Sequence, residues 1–176
     1  SVISENGHWV YDTTDYGTIE GELGGVVQEK NTCTVLTAIR ELLSLGYKIT
    51  PQAVKTGFAQ VTGLTGLMGR WQIIQREPLI ICDTGHNVGG WEYLSKQLDQ
   101  TPCHALHIVI GMVNDKDIHG VLKLLPKKAI YYFTNASVER ALPAEEFALQ
   151  ASEHGLKGTI HSSVALAIEA AKNAAE

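Results

Sequence analysis

Residues 107 to 134, HIVIGMVNDKDIHGVLKLLPKKAIYYFT, decide the fold. HIVIGM (107–112) is a continuous apolar run of strand length. Asp117 stands where a helix N-cap is expected, and Ile118, Val121, Leu122 and Leu125 follow at i, i+3, i+4 and i+7. AIYYFT (129–134) is a second run rich in β-branched and aromatic residues. A strand, an amphipathic helix and another buried strand in so short a span form a β-α-β unit, whose strands must run parallel.

Outward from this unit the alternation continues. Toward the C-terminus Pro143 opens a helix through Ala151, GTIHS (158–162) is a strand, and Ser162 or Ser163 caps a final Ala-rich helix. Toward the N-terminus WQIIQ (71–75) and PLIICD (78–83) are expected as strands, followed by a helix from about Val88 to Leu98 with Trp91, Leu94 and Leu98 on one face. The expected class is α/β, with a Rossmann-like, mostly parallel sheet and helices on both faces.

Before this region the pattern differs. HWVYDTTDYGTIE (8–20) suggests a hairpin, and from Asn31 the residues Val35, Leu36, Ile39, Leu42 and Leu43 make one helical face ended by Gly46. Thr50 and Pro51 are a cap and first residue of a second helix to about Gln60. Gly63, Gly66 and Gly69 then break the periodicity, which places a domain boundary there. Neither repeats nor low-complexity segments are present.

Composition narrows the function. With 44% hydrophobic and 19% charged residues the chain is a folding sequence. Its net charge of −5 is spread along the chain, without the basic patch a nucleic-acid-binding protein needs. Three cysteines with no C-x-x-C spacing suggest neither a disulfide framework nor a structural zinc site; a reducing, cytoplasmic compartment is the expectation. Apolar runs fall well short of the roughly 18 residues of a membrane span. The chain opens on Ser1 rather than methionine, and we expect a fragment of a longer protein.

In an open parallel sheet, ligands bind outside the carboxyl ends of the strands. The expected strands lead into Asp83, Thr84, Gly85, His86 and Asn87; into Asn114, Asp115, Lys116 and Asp117; into Asn135, Ser137, Glu139 and Arg140; and into His161, Ser162 and Ser163. The opposite loops lack this density of ionisable groups. An Asp83/Asn87 pair serves equally well to satisfy the N–H groups opening a helix or to hold a ligand, and its strand-exit position favours the ligand. Asp115-Lys116-Asp117 is, on composition alone, better explained as a cap with an exposed ion pair. Arg70, flanked by Gly69 in the linker, is either a surface arginine or a bidentate phosphate clamp. Asn31 by itself is a residue near a helix end. His86 sits in a polar turn, whereas His104, His107 and His119 belong to or adjoin core elements. No P-loop, dinucleotide fingerprint, H-E-x-x-H or G-x-S-x-G occurs, so a self-contained nucleotide enzyme is not expected.

Five motifs in order carry a resemblance: Q-x-x-N (Gln28 to Asn31), G-R (Gly69, Arg70), D-T-G-H-N (Asp83 to Asn87), G-M-V-N-D-K-D (Gly111 to Asp117) and E-R-A-L-P-A-E-E (Glu139 to Glu146). From about Leu23 onward the chain resembles the C-terminal part of the folylpolyglutamate synthase/dihydrofolate synthase branch of the Mur ligase superfamily. The resemblance implies an ATP-dependent amide ligase that phosphorylates a folate or pteroate carboxylate, after which the glutamate amine displaces the phosphate. It implies ATP and Mg²⁺ as cofactors, with the P-loop and metal ligands in a missing N-terminal part, so that this chain alone is expected to be inactive. Residues 1–65 would be the remnant of the central ATPase domain, with exposed apolar surface, and residues 66–176 the C-terminal domain. By similarity Asn31 would contact adenine, Arg70 the phosphates and Asp83 the ribose, with His86 and Asn87 shaping the catalytic loop. Asp115, Lys116, Asp117 and Ser137 would border the folate or glutamate pocket. The chain departs from the usual D-G-A-H-N-P of the family at Thr84, Gly85 and Val88. Alternative readings are another Mur-type amino-acid ligase, a non-catalytic α/β module that binds a nucleotide or anion, and a purely structural domain.

Overall fold

The computed structural model describes residues 1–3 and 8–175. The chain divides into two compact units, Ser1–Thr84 and Gly85–Glu176.

The first unit opens with an antiparallel sheet in the order β1-β2-β3, formed by β1 (Val2–Ile3), β2 (Trp9–Thr13) and β3 (Gly17–Gly21). Alternation along β2 and β3 places Trp9, Tyr11 and Ile19 in the interior. Trp9 and Tyr11 stack at 5.9 Å between ring centroids, and Tyr11 meets Phe58 edge-on. Burial pushes the Tyr11 hydroxyl above its ordinary pKa, an effect its hydrogen bond with Thr32 partly opposes.

Helix α1 (Val27–Ser44) ends as its sequence suggests. Gly46 adopts φ +90°, its N–H donates to the Leu43 carbonyl, and the Tyr47 N–H donates to that of Leu42. Its burial is less expected: the residues it buries are Gln28 and Thr32, while Val35, Leu42 and Leu43 of the apolar stripe stay 44%, 38% and 40% exposed. Helix α2 (Pro51–Ala59) is capped by Thr50, whose hydroxyl accepts from the Ala53 N–H, and α3 (Val61–Thr65) follows.

Strands β4 (Gln72–Arg76) and β5 (Leu79–Cys82) correct one expectation. Residues 78–83 do not begin the parallel sheet; β5 pairs antiparallel with β4, in a register from Gln72↔Cys82 to Arg76↔Leu79. Only Glu77 and Pro78 separate the two strands, and so short a connection can join only antiparallel neighbours. Apolar content identified the strand, whereas the loop length identified its partner.

The second unit is the expected parallel α/β structure. After α4 (Val88–Gln100) come β6 (His107–Ile110), α5 (Ile118–Leu124), β7 (Ile130–Phe133), α6 (Ala144–Glu153), β8 (Gly158–Ile160) and α7 (Val164–Ala175). The strands form a parallel sheet in the order β6-β7-β8, with Ile108 opposite Tyr131 and Phe133 opposite Ile160. Strand alternation supplies both faces. Ile108, Ile110, Tyr131 and Phe133 pack in one cluster with Trp91, Val121, Leu122 and Phe147, whereas Tyr132 and Val109 pack with Ala167, Ala170 and Ala171 of α7. Phe133 and Phe147 meet edge-on at 5.6 Å, a favourable aromatic geometry. Burial also raises the pKa of the Tyr131 hydroxyl, which donates to the Pro126 carbonyl.

Candidate functional site

The two units each contribute a group of candidate residues. In the first, residues 69–71 fold against the end of β5. Gly69 has φ +69°, and a Cβ there would lie 2.6 Å from Thr84 Cγ2, so the close approach requires glycine. The Thr84 N–H donates to the Gly69 carbonyl at 2.9 Å, and the Trp71 N–H donates to Asp83 Oδ2 at 2.7 Å. Trp71 itself takes φ +49°, an uncommon backbone conformation held by that bond and by the strand pairing beyond it. Between these contacts Arg70 Nη1 donates to the Thr84 hydroxyl, which in turn donates to the Gly69 carbonyl.

Arg70 and Asp83, singled out separately in the sequence, thus belong to one turn. Arg70 lines a cleft of about 400 Å³ within this unit, together with His8, Glu22, Thr62, Trp71 and Arg76. A guanidinium and an exposed carboxylate held this close by backbone bonds suit a ligand with one anionic and one hydroxyl-bearing part. Asn31, exposed on α1, donates through Nδ2 to Gln28 Oε1 at 3.1 Å.

The contribution of Thr84 was not anticipated. Its hydroxyl is the acceptor that fixes Arg70, and the only sequence signal was its position next to Asp83, where the resembled family usually has glycine. Asp83 also leaves an antiparallel hairpin rather than a parallel strand, so the strand-exit argument does not apply to it.

In the second unit β6, β7 and β8 run parallel, and the polar loops that follow them leave their carboxyl ends. The loops after β6 and β7 are joined: the Asn114 N–H donates to the Arg140 carbonyl at 3.0 Å, Val113 bridges Ala141, and the Leu142 N–H donates to the Met112 carbonyl at 2.9 Å. Asp115 accepts from Arg140 Nη1 at 3.0 Å and lies 3.9 Å from Lys116 Nζ. Ser137 is exposed on the second of these loops. Asp115, Lys116, Asp117 and Ser137 therefore share one edge of the sheet, and Arg140, a polar residue of the loop after β7, is the cation that pairs across it.

Two candidates have helix-capping contacts. Asn87 Oδ1 accepts from the Gly90 N–H at 2.8 Å and opens α4, and Asp117 Oδ1 accepts from the Gly120 N–H at 2.8 Å and opens α5. A Cβ at Gly120 would fall 2.3 Å from Asp117 Oδ2, so that cap requires glycine three residues on. His86 is exposed in the turn before Asn87. Among the described residues no group of three or more His, Cys, Asp or Glu side chains is arranged to hold a metal ion, and no helix is long and apolar enough to cross a membrane. Cys33, Cys82 and Cys103 are free thiols.

Comparison with known proteins adds to this geometry. The family model described as "Mur ligase, glutamate ligase domain" matches residues 69–176. The dihydrofolate synthase/folylpolyglutamate synthase of Escherichia coli is 33% identical over 172 residues, a match covering 93% of this chain and 38% of that protein. This chain therefore spans well under half the length of that relative. Among solved structures, Mycobacterium tuberculosis folylpolyglutamate synthase complexed with ADP and AMPPCP superposes with a TM-score of 0.76 at 26% identity, covering 90% of this chain and 36% of that one. E. coli FolC in complex with DHPP and ADP gives 0.69 at 30% identity, covering 96% and 40%.

Proposed function

Because the chain belongs to the Mur ligase family, we propose that it is the C-terminal portion of an ATP-dependent amide ligase that adds glutamate to dihydropteroate, to reduced folate, or to both. In this reading residues 1–65 are the end of a central ATPase domain and residues 66–176 the C-terminal domain. The enzyme is cytoplasmic, and its P-loop and Mg²⁺ ligands lie in a preceding part of the same protein.

The chemical problem is the poor electrophilicity of a carboxylate. Transfer of the ATP γ-phosphoryl group to a carboxylate oxygen gives an acyl phosphate and ADP. The glutamate amine then attacks the carbonyl carbon, the C–O bond to phosphate breaks, and the amine loses a proton as the amide forms. Arg70 would hold the phosphates, Asp83 the ribose hydroxyls and Asn31 the adenine. His86 and Asn87 shape the loop that follows, with Asn87 fixing the start of α4. Asp115, Lys116, Asp117 and Ser137 border the pocket for the folate or the incoming amino acid. Mg²⁺, held by ligands in the preceding part, would neutralise phosphate charge during transfer.

The observation that carries this reading is the single turn uniting Arg70 with Asp83, with its guanidinium fixed before any ligand arrives. The test is ADP release by the complete protein with ATP, Mg²⁺ and glutamate, with and without dihydropteroate or tetrahydrofolate. Release that depends on either acceptor supports the reading, and the acceptor that works defines the activity. Dependence on neither excludes a folate ligase and points to another Mur-type acceptor or to a binding module. Glutamate ligation by the 176-residue chain alone would overturn the assignment of the missing machinery to a preceding part.

A further inference from the structure

Two histidines that the proposed reaction does not use meet on the second unit. His119 lies in the first turn of α5 and His154 is the residue at which α6 ends; His119 Nδ1 stands 3.1 Å from His154 Nε2, with the rings 5.4 Å apart and tilted by 43°. Their backbones are fixed independently of this contact. Asp117 caps α5, and Val121 and Leu122 bury its inner face. At the end of α6 the His154 and Leu156 N–H groups both donate to the Ala151 carbonyl, and Ala151 and Leu156 are buried. The two imidazoles are therefore brought together by the packing of the unit.

Nitrogens at this separation can share a proton or a metal ion. Bonds of about 2.05 Å to two nitrogens 3.1 Å apart subtend roughly 100° at a metal, between the tetrahedral and the square or octahedral cis angle. As they stand the two rings are hydrogen-bonded, one nitrogen facing the other; metal binding requires rotation about χ2, a soft torsion in histidine, to turn both lone pairs toward a common point. A donor set of two imidazoles suits Cu(II), Ni(II) and Zn(II), whereas Mg²⁺ and Ca²⁺ prefer oxygen.

We propose that His119 and His154 form a two-imidazole site for a transition-metal ion of the copper, nickel and zinc class, linking the first turn of α5 to the end of α6. No third His, Cys, Asp or Glu joins them among the described residues, so water or an external ligand completes the coordination. This site is chemically distinct from the Mg²⁺ of the proposed ligase reaction.

The test is titration of the untagged 176-residue chain with Cu(II) and with Zn(II), followed by calorimetry, by the Cu(II) electron paramagnetic resonance spectrum and by Tm. One equivalent is expected to bind, with a signature of two nitrogen ligands and a rise in Tm by mass action that excess Mg²⁺ does not produce. His119→Ala and His154→Ala should each weaken binding roughly tenfold or more, since altering even a supporting residue around a metal costs that much. His104→Ala, at an exposed histidine elsewhere, should change nothing. Metal-free Tm values establish that each variant is folded, and His119→Gln replaces His119→Ala if the alanine variant is not. Absence of binding, unchanged affinity in both pair variants, or an equal loss in His104→Ala would each overturn the proposal.

Discussion

The two units treat an apolar helix face in opposite ways. Helix α5 is short, yet Val121 and Leu122 are fully buried against the sheet-side cluster. Helix α1 is longer and carries an equally regular stripe, yet Val35, Leu42 and Leu43 remain exposed, and Gln28 and Thr32 occupy its buried positions. Periodicity specifies a helix and the face that gains from burial, but not whether a covering surface lies within the same chain. The second unit contains the strands that cover α5. The exposure of Val35, Leu42 and Leu43 is what would be expected if, as proposed, residues 1–65 are part of a larger domain.

The contrast is most directly broken by core truncation. Phe147→Ala removes a fully buried ring that packs against Phe133 and should cost about 3–5 kcal/mol, read by urea unfolding of the second unit. A loss below 1 kcal/mol would mean that the sheet cluster is not the principal core. At the other extreme of the comparison, Leu42→Ser in the 176-residue chain should change stability by less than about 0.5 kcal/mol. The same substitution in a complete protein should cost several times more if an upstream domain covers α1, and an equal, small effect in both would show that nothing does.

Smaller effects test the capped loops. Asp117→Ala should lower the stability of the second unit by about 1 kcal/mol, with Asp117→Asn retaining most of it, because an amide oxygen still accepts from the Gly120 N–H. Breaking the exposed Asp115–Arg140 pair with Arg140→Gln should cost no more than about 1 kcal/mol and less at high salt. A larger loss would show that the pair, rather than the backbone bonds beside it, joins the loops after β6 and β7.

Tyr131 adds a pH dependence confined to the second unit. Its folded pKa is raised by burial above the ordinary 10.0, so the unfolded chain ionises first. Its contribution to stability is complete below that unfolded value and is lost as pH rises from there toward the folded pKa. Unfolding measured across this alkaline range should show a fall in stability that Tyr131→Phe reduces, and an unchanged slope in that variant would assign the fall to other groups.

The legibility of the molecule follows the range of the interactions involved. Helices α1, α2 and α4 to α7, the Thr50 and Asp117 caps and the Gly46 stop were readable because the groups that make them lie within a few residues of one another, whereas Asn87 suited a cap and a ligand equally and α3 lies where Gly63 suggested a break. The parallel β-α-β core was readable from period and connection length. The antiparallel pairing of β5 was signalled by the two residues before it, a cue outweighed by the expectation of continued alternation. In the site, Asp115 and Lys116 were visible as charges, but their relation to Arg140 was not, since it depends on the register between two loops. Thr84 was passed over because a hydroxyl has no role in sequence until a guanidinium is placed against it.

By itself, then, the sequence determined the local structure, the α/β alternation and the ordered motifs that lead to the Mur ligase family, all of which depend on short spacings along the chain. Only the tertiary structure decided that Arg70 is fixed by Thr84 in the turn that also holds Asp83, that His119 meets His154, and that Val35, Leu42 and Leu43 of the α1 stripe stay exposed. Each of these depends on which surfaces meet when distant segments pack, and hydrophobic burial, being non-directional, does not encode that choice in any local pattern of residues.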